Sequence, residues 1–175
     1  MPVDIGSIKR NDQIAGAAAV LAFIFALIPG VVSASAKGGL EERLEAAGRD
    51  TSDGVNLWHS YGVLAALLLL VAIAGLVAAI LNRTELQSLP VRWITTGVSG
   101  LATLLVLIYI FTYNGEATAA DEEVLDIGPG FIGYLLLLLC VVATVFAALG
   151  AQESGERLPG RSQTTGPEAT PPPAA

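Results

Sequence analysis

The sequence contains one cysteine and one histidine in 175 residues, and this scarcity excludes several kinds of site. A single cysteine, Cys140, cannot form a disulfide within the chain or build a cysteine-based metal cluster. Catalysis near neutral pH needs a base, a nucleophile or a metal held close together. We therefore expect no catalytic residues, no metal and no cofactor, and we predict that the chain is not an enzyme.

Basic residues are also few, with 9 Lys and Arg against 16 Asp and Glu and a net charge of −7. Binding to nucleic acid depends on clustered Lys and Arg that neutralise phosphates. We therefore expect no nucleic-acid partner. Arginine outnumbers lysine, and Ala, Gly, Leu and Val are abundant, a composition that favours a bacterial source.

Charge is absent from four long apolar runs, which cover residues 14–36, 58–81, 93–113 and 130–151. Each run is long enough, as a helix, to cross a hydrocarbon core of about 30 Å. The sequence therefore predicts an all-α integral membrane protein, a four-helix transmembrane bundle over residues 1–151. The polar, Pro-rich stretch 152–175 lacks the apolar residues to fold, and we predict a disordered cytoplasmic tail there.

The distribution of basic residues predicts the orientation. Six lie in the segments on one side of the predicted membrane, which are the N-terminal stretch, the connection between the second and third runs, and the tail after the fourth run. The other three lie on the opposite side, in the loop between the first and second runs. The two sets are Lys9, Arg10, Arg83, Arg92, Arg157 and Arg161 against Lys37, Arg43 and Arg49. The positive-inside rule then places both termini in the cytoplasm of a plasma-membrane protein.

Residues 1–36 also resemble a secretory signal, with Ala34-Ser35-Ala36 as a cleavage motif. We expect the segment to be retained, because its apolar core is long for a signal and acidic residues dilute its basic start. Under this interpretation, Pro29-Gly30 is a kink near the outer end of the first helix.

The connections predict further local structure. Residues 40–47 and 117–125 have spacing or composition that favours short outer-loop helices. Asp12 is placed to cap the first helix, and Asn56 or Asp53 to cap the second.

Small and polar residues predict which helix faces pack together, since close packing rather than hydrophobicity joins helices in lipid. The third helix has a polar stripe, and the second has small residues at helical spacing. These candidates for helix packing or for a pore lining are Thr95, Ser99, Thr103, Gly100, Ala72, Gly75 and Ala79. Interhelical hydrogen bonding is the interpretation that we favour over an ion path.

Two further groups of side chains are predicted at the outer surface. One is an acidic cluster in the second outer loop, formed by Glu116, Asp121, Glu122, Glu123 and Asp126, which we interpret as a solvated face. The other is an aromatic belt that contains Trp58, Tyr61, Tyr109, Phe111, Tyr113, Phe131 and Tyr134, with Trp93 at the inner level. His59 lies in the outer belt and is interpreted as an interfacial residue.

Three functional hypotheses follow. The first is a non-catalytic subunit or scaffold that binds membrane lipid and other membrane or cell-surface proteins, or associates with itself. The alternative is a small oligomeric carrier or pore lined by the polar face of the third helix. The third, a membrane enzyme that uses His59 with outer carboxylates, has the least support.

Overall fold

The computed structural model describes residues 9–36, 53–81, 90–113 and 125–155. Within these ranges, four helices are long and apolar enough to cross a membrane, which confirms a mostly helical, multi-pass chain. The helices are α1 (Arg10–Leu27), α2 (Gly62–Ile80), α3 (Val91–Thr112) and α4 (Phe131–Glu153).

The four helices form a ring in which neighbours run antiparallel. Helix α1 packs on α4 and, over a smaller area, on α2, while α3 packs on both α2 and α4. The interior is built from alanines at the close approaches and from larger side chains around them. Its largest fully buried side chains are Tyr109, Leu57, Leu69, Ile110, Leu136, Val31, Val32, Val106 and Cys140.

Helix α1 ends at Leu27, nine residues before the predicted end of its span, so the boundary at residue 36 was wrong. Pro29 has no backbone N–H to continue a helix, and Gly30 adopts a φ of +103°, which favours glycine. The Pro29-Gly30 pair therefore terminates the helix, where the sequence predicted a kink within it. The remaining residues of the apolar run continue as a strand.

A small antiparallel sheet lies at this end of the bundle and was not predicted. Its strands are β1 (Val32–Ala36), β2 (Asp53–Val55) and β3 (Leu125–Pro129), in the order β2-β1-β3. Val32 pairs with Val55 on one side and with Pro129 on the other. Each strand is connected to the start or end of a helix by one to six residues, so the sheet links α1, α2 and α4. We call this end of the bundle the sheet end.

Helix α2 begins at Gly62, four residues after the predicted start of its span. The Asn56 side-chain oxygen accepts a hydrogen bond from the Trp58 backbone N–H at 3.1 Å, which closes a turn before the helix. Asn56 therefore caps this turn and not the helix, and Asp53 lies in β2. Among the residues that the structure describes, no side chain caps α2.

The boundaries of α3 and α4 lie within two residues of the predicted spans. The predicted loop helix 40–47 lies outside the described residues, as does 117–125 except for Leu125, which begins β3. The predicted tail overlaps the last turn of α4 at residues 152–153, and its residues beyond 155 are outside the described ranges.

Candidate functional site

A buried ion pair joins α1 to α3 at the end of the bundle opposite the sheet, which we call the Asp12 end. The Arg92 Nη1 atom donates to the Asp12 Oδ1 atom at 2.9 Å. The exposed fraction of the Asp12 side chain is 4% and that of Arg92 is 17%. Burying a charge with so little exposure costs free energy unless the charge is paired. The pair therefore stabilises the arrangement in which the first turns of α1 and α3 lie side by side.

Helix α4 completes this site. The same Arg92 nitrogen donates to the Gly150 carbonyl oxygen at 3.2 Å. A Cβ atom added at Gly150 would lie 2.5 Å from the Asp12 Oδ1 atom, a distance that real Cβ atoms do not show. The Asp12 carboxylate therefore lies against α4 at a position where any residue larger than glycine would collide with it.

Two exposed contacts flank the pair. The Asn11 side-chain nitrogen donates to a Glu153 carboxylate oxygen at 2.6 Å, and the Lys9 ammonium donates to the Glu153 carbonyl oxygen at 3.0 Å. The first turn of α1 is thus fastened to the last turn of α4 and to the first turn of α3.

The role predicted for Asp12 was wrong. Helix α1 begins at Arg10, so Asp12 lies inside its first turn and makes no capping hydrogen bond. The sequence offered one signal for the pair: Asp12 and Arg92 each lie just before an apolar run and on the same predicted side of the membrane. That signal alone does not predict that two residues 80 positions apart form an ion pair.

The polar stripe on α3 faces α4 through Ser99 and Thr103. Both hydroxyls lie within hydrogen-bonding distance of the Thr144 hydroxyl on α4, at 2.9 Å and 3.0 Å. Thr103 also donates to the Ser99 carbonyl, and Thr144 donates to the Cys140 carbonyl. Threonine hydroxyls satisfied in this way are cheap to bury in a helix interface. We call these three residues the hydroxyl seam; Thr144, single among apolar neighbours, was not singled out from the sequence.

Thr95 faces α2 instead. Its hydroxyl donates to the Val91 carbonyl at 2.8 Å, and it lies so close to Gly75 that a Cβ atom there would collide with the Thr95 hydroxyl oxygen. Ala72 is buried on the same helix, whereas Ala79 is half-buried. Gly100 lies opposite the Thr144 methyl group, 3.8 Å from the place of an added Cβ atom.

Three tyrosines cluster at the sheet end. The rings of Tyr109 and Tyr113 stack with centroids 4.8 Å apart, and Tyr61 meets Tyr109 edge to face at 5.3 Å. The buried Tyr109 hydroxyl donates to the Asn56 carbonyl oxygen at 3.0 Å, and the Tyr61 hydroxyl bonds the Thr112 hydroxyl. Tyr109, predicted in an aromatic belt, is fully buried and belongs to the core.

His59 lies exposed beside this cluster. Its Nδ1 atom is 2.9 Å from the Asn56 side-chain oxygen and donates a hydrogen bond to it, since an amide oxygen can only accept. The neighbouring Ser60 has a φ of +52°, an unfavourable conformation for a residue other than glycine.

Trp58 contacts Phe23 edge to face, and its indole nitrogen is buried without a hydrogen-bond partner among the described residues.

Most of the predicted acidic cluster lies outside the described residues: only Asp126 falls within them, in β3. Among the residues that are described, no three His, Cys, Asp or Glu side chains come together in an arrangement that could hold a metal ion.

Comparison of the chain with protein-family models, with curated proteins and with solved structures found no match.

Proposed function

We propose that this chain is a non-catalytic membrane subunit or scaffold that binds other membrane or cell-surface proteins, or further copies of itself. The observation that carries the proposal is the hydroxyl seam. Thr103 and Thr144 donate their protons to backbone carbonyls, and the Ser99 hydroxyl donates to the Thr144 hydroxyl oxygen, so this polar surface is satisfied within the chain and stabilises the bundle. The surfaces left for partners are the outer helix faces and the loops.

The outer faces of the helices suit lipid or the helices of a partner. They present large apolar side chains, with Phe131 79% exposed and Leu138 59% exposed on α4, and Phe111 58% exposed on α3. Helix partners in a membrane are chosen by close packing and polar contacts, because lipid tails are as apolar as leucine. The membrane and the partner therefore compete for the same surface.

The proposal includes an orientation, with both termini in the cytoplasm of a bacterial plasma membrane. Six of the nine basic residues then lie on the cytoplasmic side, as the positive-inside rule favours. The Asp12 end faces the cytoplasm in this arrangement, and the sheet end faces outward. The proposal also keeps residues 1–36 in the mature protein, because cleavage after Ala36 would remove the central strand β1. Intact-mass measurement of the purified protein tests that point.

Native mass measurement tests the main proposal. The full chain is extracted from its own membranes in a gentle detergent, and an unrelated four-span protein carrying the same tag is the control. The expected result is one stoichiometric assembly, with itself or with a defined partner, that the control lacks. A lone monomer with nothing bound would contradict the proposal.

An oligomeric carrier or pore lined by Thr95, Ser99 and Thr103 is the second candidate. In the single chain, Thr95 and Ser99 are buried between helices, so a pore of this kind needs a different packing of α3. The triple variant Thr95→Val, Ser99→Ala, Thr103→Val distinguishes the pore from the non-catalytic subunit or scaffold. A changed flux through vesicles with retained fold would favour the pore, and an unchanged flux would remove it.

A further inference from the structure

The two ends of α1 are fastened by different kinds of interaction. At the sheet end, the chain that follows α1 is held by backbone hydrogen bonds. The Leu57 N–H donates to the Ala26 carbonyl at 3.1 Å, and the Gly130 N–H donates to the Val31 carbonyl at 3.1 Å. Strand β1 is then paired on both sides. This end cannot move without breaking several backbone hydrogen bonds at once.

At the other end of α1, the contacts with α3 and α4 described above are made by side chains of residues 9–12 and 92. The contacts of Lys9 and Asn11 with Glu153 are exposed, and exposed polar contacts contribute little to stability. The buried contact of Asp12 with Arg92 is the strong one, because leaving either charge alone in the interface is costly. The Asp12–Arg92 pair is therefore the strongest of these three contacts.

The body of α1 presents a smooth face between these two ends. Its buried residues are Asp12 and the alanines Ala15, Ala18, Ala19, Ala22 and Ala26. Alanine has no side-chain rotamers, so a tilt displaces few long side chains of α1 in the half of the helix near Asp12. The partly buried Phe25 and the contact of Phe23 with Trp58 lie near the sheet end of α1, where the displacement is smallest. Residues 28–30, with the break at Pro29 and the positive φ of Gly30, separate the helix from Val31 and supply a hinge. Val31 itself stays with the sheet, because its N–H donates to the Val55 carbonyl and its carbonyl accepts from the Gly130 N–H.

We propose that the Asp12–Arg92 pair is a latch. When it is broken, α1 tilts about residues 28–30, away from α3 and α4, and the Asp12 end of the bundle opens while the sheet end stays closed. The opening exposes the alanine face of α1 and the facing surface of α4. This device goes beyond the proposed function and does not depend on it.

Distance measurements between paired spin labels in the full chain, reconstituted in lipid, test the latch. The background variant is Cys140→Ser, which removes the single native thiol. One label pair, Ala17→Cys with Val145→Cys, reports on α1 against α4 away from the hinge. The second pair, Leu27→Cys with Phe131→Cys, reports on the sheet end. All four positions are exposed, so the labels do not enter the core.

Asp12→Ala should lengthen or broaden the Ala17–Val145 distance and leave the Leu27–Phe131 distance unchanged. A tilt of about 15° over the ~16 Å between Ala17 and the hinge moves the first label by about 4 Å. Asn11→Ala is the matched control: it removes an exposed contact of the same helix turn and should shift neither distance.

Three results would overturn the latch. These are no change in either distance with Asp12→Ala, equal broadening of both distances, or a shift with Asn11→Ala as large as that with Asp12→Ala. If Asp12→Ala does not fold, Gly150→Ala replaces it, because the added methyl group displaces the carboxylate while both charges remain. Widening at Ala17–Val145 alone would then support the latch, and unchanged distances would overturn it.

Discussion

The sheet end and the Asp12 end close the same bundle by opposite means. At the sheet end, backbone groups of three strands hydrogen-bond one another, and the buried side chains around them are apolar or tyrosine. At the Asp12 end, two opposite charges meet beside a glycine. Many side chains are compatible with a backbone network, whereas a buried ion pair depends on two particular residues. Single substitutions should therefore affect the Asp12 end far more than the sheet end.

The largest effect is expected from Arg92→Ala. It leaves the Asp12 carboxylate buried without its partner, and the free energy of unfolding should fall by about 3 kcal/mol or more. Asp12→Ala should cost less, because Arg92 is partly exposed and its long side chain can reach water. Unfolding by SDS in mixed micelles measures both.

The double variant Asp12→Ala, Arg92→Ala completes this comparison. Its cost should be smaller than that of Arg92→Ala alone, since no unpaired charge remains. Costs that simply add would show that the two residues act independently.

The next largest change in stability is expected from Gly150→Ala, which is compared with Gly97→Ala. Gly150→Ala forces a methyl group against the Asp12 carboxylate and should cost about 1–3 kcal/mol, as overpacking does. Gly97→Ala is the matched control, because an added Cβ atom there meets nothing within 4 Å. It should be neutral or stabilise the helix by up to about 1 kcal/mol. Equal effects of the two substitutions on the melting temperature would contradict the crowded arrangement at Gly150.

A smaller effect is expected at the sheet end from Tyr109→Phe. The ring and its stacking on Tyr113 remain, and only the hydrogen bond to the Asn56 carbonyl is lost, so the cost should be about 1 kcal/mol. Tyr61→Phe is the control, because Tyr61 is 44% exposed and its hydroxyl bonds an exposed threonine. Thermal unfolding in detergent should rank Tyr109→Phe as the more costly. The reverse order would show that the hydrogen bond of the buried Tyr109 hydroxyl does not stabilise the fold.

The smallest effect should come from Ser60→Gly. Glycine adopts the positive φ of this turn without strain, but it also loses more entropy on folding, so a net gain of about 0.5 kcal/mol is expected. Ser60→Ala keeps the strain and should bring no gain. A loss with Ser60→Gly larger than that with Ser60→Ala, in the same unfolding experiment, would show that the serine side chain supports the turn.

The helices could be predicted because their signal is local. An absence of charge over about 20 residues is visible in one stretch of sequence, and α3 and α4 lie within two residues of the predicted bounds. The end of α1 could not be predicted as well. Its apolar run continues without interruption into β1, and a Pro-Gly pair fits both a kink and a termination.

The sheet and the ion pair depend on contacts between distant parts of the chain. Strand β1 pairs with residues about 20 positions and about 95 positions further along. Strands of three to five residues carry little pattern of their own. Only part of the hydroxyl seam could be predicted. The spacing of Ser99 and Thr103 indicated a packed polar face, but Thr144 is flanked by apolar residues on α4 and forms no pattern with other polar residues.

Membrane fractionation tests the central claim most directly, namely that the four helices are buried in a lipid bilayer. The full chain is expressed with its membranes, which are then washed in alkaline carbonate. The account predicts that the protein stays in the membrane pellet and dissolves only when detergent is added. Recovery of folded protein from the supernatant, without lipid or detergent, would contradict it.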